Sequence, residues 1–451
     1  MKNSPLADEA RQRLMSRVAS LSEAASSRST TSGVGSPARK NPTDFSTLPG
    51  YEEIRIQRTI GQKIGVATPY FRMHDTRAGT RSQIEGREVI NFSSYDYLGL
   101  NGSPAVTAAA KTAIDRYGVS ASASRHVAGE RPIHRALEGA LAAHYGVDDC
   151  VVIVSGYATN LGVIGQLVGQ KDLVVCDAVV HNSAVMGGVL SGAARRSFPH
   201  NDLDALERLL ASTRDKFERA LIVVEGLYSM DGDYPDLRRL IEIKTRYQAW
   251  LMVDEAHALG VLGRRGYGSF EHCGIDPRQV DIWMGTLSKT LSGCGGYIAG
   301  SAELVDYLKA LLGVFVYSVG MPPLIAAAAH AALDMLHREP QRVLQLQANA
   351  ARFKELAQER GLDTGTGAGT AVSPIVVGDS IPAVVLSQKL LERGINVLPV
   401  LYPAVPAKAS RLRFFLTAMH TENDLKTALD ATAEELAKMP ETLRMMRIPG
   451  Y

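Results

Sequence analysis

One lysine, Lys289, stands in the stretch MGTLSKTLSGCGGYIAG (284–300), between an apolar run and a cluster of glycines. A solvated surface lysine needs no such setting, whereas an amine that binds phosphate or reacts as a nucleophile does. Polar groups of the same kind end four other apolar runs. CVVIV (150–154) runs into Ser155, Gly156 and Tyr157. LVVC ends in Asp177, with His181 four residues on. LIVV ends in Glu225, followed by Gly226, Tyr228 and Ser229. WLMV ends in Asp254, Glu255, Ala256 and His257, and IWMG leads to Thr286, Ser288 and Lys289. Each loop alone reads as an ordinary helix cap, because Asp and Ser cap helices well. Five such ends on one sheet edge favour a site, since ligands of open α/β sheets lie beyond the carboxyl ends of the strands.

A lysine, an aspartate and a histidine on adjacent strands, with hydroxyls and glycine amides nearby, suit Schiff-base chemistry. The amine can bind an aldehyde cofactor covalently. Pyridoxal phosphate (PLP) then needs a carboxylate on its ring nitrogen, an aromatic ring stacked on the pyridine and a dense set of donors for its phosphate. The segment DEAH (254–257) also raises a nucleotide-hydrolysing P-loop protein. That motif needs GxxxxGK[ST], and counting back from Lys289 its glycines fall on Trp283 and Ser288.

These residues must be held by regular elements. CVVIV, LVVCD (173–177), ALIVVE (220–225), WLMVDE (250–255) and DIWMGT (281–286) read as buried strands, and periodic segments such as 202–211 and 237–247 read as helices between them. Alternation of this kind implies an α/β fold with a mostly parallel central sheet and helices on both faces. Beyond Pro322-Pro323 a helical stretch at 324–360, the strand-like runs SPIVVG and INVLPV, and a helix near 424–438 predict a smaller C-terminal α+β domain. The expected division is a tail at 1–45, an N-terminal segment at 46–94, a large domain at 95–325, a small domain at 326–440 and a tail at 441–451. In the first tail, Leu6, Ala10, Leu14, Val18 and Leu21 recur at helical spacing, as a weakly ordered tail or a docking helix would. The Ser/Gly/Pro-rich stretch 22–44 reads as a linker.

Bulk properties narrow the function classes. The 451 residues are 45% hydrophobic, enough for a large core in more than one lobe. The 49 basic and 47 acidic residues leave a net charge of +2, which makes no electrostatic case for nucleic acid or an anionic membrane. Cys150, Cys176, Cys273 and Cys294 form no CxxC pair, as expected of reduced thiols in a cytoplasmic protein with no metal centre. No apolar run approaches the ~20 residues of a membrane span.

Ordered motifs then carry a resemblance. They are SSYDYLGL (93–100), SGYATN (155–160), VVHNSA (179–184), VEGLYSMDGDYPDL (224–237), VDEAHALGVLGRRGYG (253–268), GTLSKTLSGCGGYIAG (285–300), YSVGMPP (317–323) and SRLRFFLTAMH (410–420). Together, over about 50–440, they resemble the α-oxoamine synthases, PLP-dependent enzymes of fold type I. The resemblance implies a decarboxylative condensation of a small amino acid (serine, alanine or glycine) with an acyl thioester carried by CoA or an acyl carrier protein. It also implies a homodimer with a shared active site. Another fold-type I activity, aminotransferase or β-hydroxy-amino-acid aldolase, stays open, as does a silent binding subunit.

The resemblance implies roles too. Lys289 binds the cofactor aldehyde and serves as the base, Asp254 pairs with the ring nitrogen, His257 bonds the phenolic oxygen and His181 stacks on the ring. Gly156 and Tyr157, after Ser155, offer amides to the phosphate, with hydroxyls from Thr286 and Ser288 and, across the subunit boundary, from Ser318. Ser229 lies near the phenolic oxygen, beyond Glu225. Arg413 holds the amino-acid carboxylate, although strand periodicity puts Arg411 on the same face. The chain departs from the family at three places. Tyr95 stands where several relatives have Asn, SASASR (120–125) replaces GSGGSR, and Val319 replaces a second hydroxyl beside Ser318.

Overall fold

Buried parallel strands read as unbroken apolar runs, and here those runs become the centre of the molecule. In a computed structural model that describes residues 41–446 apart from 64 and 67, they form β3 (Asp149–Ile153), β4 (Leu173–Asp177), β6 (Ala220–Glu225), β7 (Trp250–Asp254) and β8 (Ile282–Thr286). Two more strands, β5 (Ala194–Phe198) and β9 (Gly296–Gly300), complete a seven-stranded sheet of order β3-β9-β8-β7-β6-β4-β5. Strands β4 to β8 run parallel, and β9 is antiparallel to both of its neighbours. The expected N-terminal helix, and the linker before residue 41, lie outside the described residues.

The chain forms two units, 1–60 and 61–451. The described part of the first holds a short turn at Phe45–Thr47, capped by Asp44, and most of helix α1 (Pro49–Lys63). The second holds the sheets and the residues that the sequence marks for chemistry.

The two-residue repeat of the strands sorts their side chains into two cores. Val152, Val175, Ile222, Val224, Leu251, Val253 and Trp283 face one side, packed with α3 (Pro132–Tyr145), α6 (Leu203–Thr213) and α7 (Leu237–Arg246). Val151, Val174, Val223, Met252, Met284 and Ile298 face the other, packed with α4 (Gly156–Leu167), α5 (Asn182–Ser191) and α8 (Ala302–Leu311). Helices therefore cover both faces, and the strand ends remain for chemistry.

The C-terminal part differs in detail from its sequence pattern. The helical stretch 324–360 is two helices, α9 (Pro323–Arg338) and α10 (Pro340–Glu359). Pro340 lacks the amide that would continue the first and instead opens the second at its first turn. The run INVLPV divides between β11 (Ile395–Asn396) and β12 (Leu398–Val400), which join different sheets. β11 pairs with β2 (Arg87–Asn91), itself paired with β1 (Arg81–Ile84). β12 pairs with β13 (Ser410–Phe415), whose other neighbour is β10 (Val372–Gly378). Helices α11 (Ser380–Glu392) and α12 (Glu422–Met445) accompany these sheets, and α12 is longer than the expected 424–438. Among the described residues no helix is long and apolar enough to cross a membrane.

Two backbone positions are constrained. A Cβ on Gly296 would lie 2.5 Å from Thr159 Oγ1 and 2.8 Å from Gly156 Cα, so the bare glycine lets β9 press against the first turn of α4. Ser122, the departure within SASASR, sits at φ +61°. A side chain in that left-handed region costs about 1 kcal/mol relative to glycine.

Candidate active site

Strand register assembles the site. Parallel pairing sets Glu225 opposite Asp254 and Asp254 opposite Met284, so three strand ends finish side by side and the Lys289 loop begins beside them. Glu225 and Asp254 are both buried. Burial drives the Glu225 carboxyl upward and the nearby Asp254 charge adds to the rise, while Lys289 opposes it. Burial lowers the Lys289 ammonium to about 8 despite the pull of Asp254 and Glu225, and Arg413 adds to the fall. Lys289 Nζ lies 5.5 Å from the centre of the Tyr95 ring, within cation–π reach.

The two histidines stand in different surroundings. His257 is buried, its Nδ1 2.7 Å from the Tyr97 hydroxyl. Burial, then the Lys289 and Arg413 cations, hold it neutral. Phe415 stacks on it at 6.2 Å, and Tyr95 meets Phe415 edge-on at 4.7 Å. His181 is exposed. It caps α5, and its amide donates to Glu225 Oε1 at 2.6 Å. Burial of its surroundings and the Lys289 and Arg413 cations lower it, while Asp254 resists.

The N-terminus of α4 supplies the anion end. Ser155 caps the helix by accepting from the Ala158 amide, which leaves the amides of Gly156 and Tyr157 at the helix mouth. A Cβ on Gly156 would sit 2.8 Å from Thr286 Oγ1, so the helix mouth and the end of β8 touch. Thr286 donates to the Gly295 carbonyl at 2.8 Å and accepts from the Ser288 amide at 3.2 Å. Ser288 Oγ accepts from the Gly295 amide at 3.3 Å. Both hydroxyls thus brace the lysine loop, and Thr286 also borders the helix mouth. Ser318 stands apart, on the loop between 316 and α9, flanked by exposed Tyr317 and Val319.

The structure separates the two arginines that periodicity could not. Arg411 is buried in an ion pair with Asp231, and its Nε donates to the Ala409 carbonyl. Arg413 donates to the Ser229 carbonyl at 2.8 Å and lies over the Phe415 ring, and its buried Nε has no partner. Ser229, in turn, donates its amide to Glu225 Oε2 at 3.1 Å. Arg413→Ala is therefore expected to lower kcat/KM for the amino acid roughly 10²-fold at unchanged melting temperature, the loss of a charge-assisted pair. Arg411→Ala should instead cost about 3 kcal/mol of stability, because it strands Asp231. Steady-state kinetics beside thermal melts separate the two, and a reversed pattern would contradict the assignment.

The donor set fits PLP. Asp254 receives only neutral donors, Asn160 Nδ2 at 2.8 Å and the Ala256 amide at 2.9 Å, so a protonated ring nitrogen would complete it. The helix mouth, with no Cβ on Gly156, suits the phosphate, and the Asp254 charge acts on the Lys289 amine. Sequence reasoning did not single out Tyr97, Asn160, Ser183 or Phe415. All four lie inside the ordered motifs, but an aromatic or amide at a strand end carries no chemical signature of its own.

Comparison with known proteins gives the same answer. A family model described as "Aminotransferase class I and II" matches residues 87–431. The 8-amino-7-oxononanoate synthase of Geobacter sulfurreducens is 44% identical over 357 residues, which are 79% of this chain and 90% of that protein. A serine palmitoyltransferase from Sphingomonas wittichii matches with a TM-score of 0.83 at 30% identity, covering 88% of this chain and 100% of that one. Another serine palmitoyltransferase, solved with PLP, matches at 0.83 with 27% identity over 87% of this chain and 99% of that one. The chain belongs to the class I and II aminotransferase family and, within it, to the α-oxoamine synthases, PLP-dependent enzymes of fold type I.

Proposed function

We propose that this enzyme joins glycine, alanine or serine to the acyl group of a thioester, releasing the thiol and carbon dioxide and leaving an α-amino ketone. Arg413 is the observation that carries the reading. It is a guanidinium with an unpartnered buried Nε, near enough for its charge to lower the Lys289 ammonium, and so suits the carboxylate of an amino acid held at that amine. The relatives' names agree in their chemistry. One names an acyl transfer to serine, and the other a product with its amine beside its ketone.

Each residue then has a task. PLP, when bound, draws off the electron pair left at the amino acid's α-carbon. Lys289, with its basicity lowered to about 8, is neutral in a useful fraction near neutral pH and takes the α-proton. Asp254 would keep the ring nitrogen protonated, His181 would lie against the ring, and His257, braced by Tyr97, would donate to the phenolic oxygen. Ser155, Gly156, Tyr157, Thr286 and Ser288 surround the phosphate, and Glu225 and Ser229 brace His181 and Arg413. Tyr95 and Phe415 wall the space beside Lys289, which favours a small side chain.

The active form is a homodimer in this reading. Exposed Val185, Met186, Val189 and Leu190 on α5, with Tyr317 and Val319 beside Ser318, offer an apolar face to a second copy that would lend Ser318 across the boundary. The four free thiols suit the cytoplasm. A matrix of glycine, alanine and serine against acyl-CoA and acyl-carrier-protein thioesters tests the reading by thiol and carbon dioxide release. At least one pair should release both in equal amounts. Release from none, with threonine cleaved or pyruvate aminated instead, would replace the reading with an aldolase or aminotransferase.

A further inference from the structure

Two side chains outside the set read from the sequence tie Asp254 to His181. The amide nitrogen of Asn160 donates to Asp254 Oδ2 at 2.8 Å and to Ser183 Oγ at 3.0 Å. Ser183 Oγ lies 2.7 Å from His181 Nδ1, and the Ser183 amide donates to that same nitrogen at 3.3 Å. Asn160 and Ser183 are 2% and 0% exposed, so water does not compete for the bonds that Asn160 makes to Asp254 and Ser183.

Donor counting gives the chain a direction. A carboxylate only accepts. Asn160 must therefore turn its NH₂ toward Asp254, and its second hydrogen goes to Ser183. Reversing the amide would set Oδ1 against Asp254 Oδ2. In the orientation adopted, Oδ1 is buried without a partner, so contact with Asp254 outweighs satisfaction of that oxygen. Ser183 already accepts from Asn160 and has one hydroxyl hydrogen left to give. The acceptor in reach is His181 Nδ1, which then faces two donors from Ser183 and cannot carry a proton of its own.

We infer that Asn160 and Ser183 are positioning residues that hold His181 with Nδ1 as acceptor and its proton on Nε2, and that join its ring orientation to Asp254. The ring that covers the cofactor and the carboxylate that holds its nitrogen then move as one unit. Desolvation of its ring nitrogens and the Lys289 and Arg413 cations, against the pull of Asp254, favour an uncharged His181, the state in which a tautomer choice exists. The effect on cofactor affinity rests on the PLP reading, whereas the tautomer is a property of the protein.

Nuclear magnetic resonance of full-length holoenzyme with isotope-labelled histidine nitrogens tests this. His181, assigned as the signal lost in His181→Gln, should show an unprotonated Nδ1 and a protonated Nε2. Ser183→Ala should shift Nδ1 toward the protonated form and raise the PLP dissociation constant roughly threefold to tenfold, the loss of one net hydrogen bond. Ser183→Thr should restore both. A proton on Nδ1 in the wild type, or ring nitrogens unmoved by Ser183→Ala, overturns the inference. The wild-type spectrum decides even where Ser183→Ala does not fold. An Nε2-protonated ring in a protein that binds no PLP would leave the inference standing and sink the cofactor reading instead.

Discussion

Lys289→Ala is expected to lower kcat/KM by ~10³-fold or more and to abolish the visible band of the bound cofactor near ~420 nm. Two proposed roles would be lost together, covalent retention of PLP and removal of the α-proton, so the expected effect exceeds that of any substitution in the walls. The surroundings of the amine make a second, pH-dependent expectation. Its ammonium is lowered to about 8, chiefly by burial. An amine must be neutral to react with an aldehyde. The rate at which apoenzyme takes up PLP should therefore climb with pH up to about 8 and level off above it. A climb that continues to the ordinary lysine value would mean the amine is not desolvated. Stopped-flow absorbance reads both, and an unchanged visible band in Lys289→Ala would refute the assignment.

Asp254→Asn should be the next most damaging change. Asp254 is buried at the end of β7 and bonded only to the Asn160 and Ala256 nitrogens. Its charge is what would keep the cofactor's ring nitrogen protonated, and a neutral amide of the same shape cannot do so. We expect kcat to fall on the order of 10³-fold, within the range for a single acid–base group, while PLP still binds and the visible band persists. The contrast with Lys289→Ala separates loss of the electron sink from loss of the anchor. Activity within tenfold of wild type would show that Asp254 does not touch the ring.

Legibility in the sequence followed burial. β4 and β6 coincide with their apolar runs, and β7 and β8 differ from theirs by one terminal residue, because a parallel strand covered on both faces has no polar positions to blur it. β5, ARRSF, is hidden because it is an edge strand with three exposed residues at its centre. β9 is hidden because glycines at both ends mask it, and the Gly296 contact with α4 is invisible without the fold. INVLPV looks like one strand because a run of apolar residues does not reveal that the chain changes sheets within it.

The site divides in a similar way. Residues with reactive side chains announce themselves at strand ends, and they converge on Lys289. Arg411 and Arg413 are equal in sequence because strand spacing gives both the same face. Their difference lies in Asp231, which arrives from a distant loop to neutralise one and not the other. Asn160 and Ser183 are silent for the same reason, since their meaning comes from partners 94 and 2 residues away.

Lys289 is proposed as the amine that holds PLP. Borohydride reduction of the holoenzyme, followed by peptide mapping, tests it most directly by fixing the cofactor where it is bound. One pyridoxyl group per chain is expected, on the peptide that contains Lys289. A label on any other lysine, or a reduced protein that carries none, would contradict it.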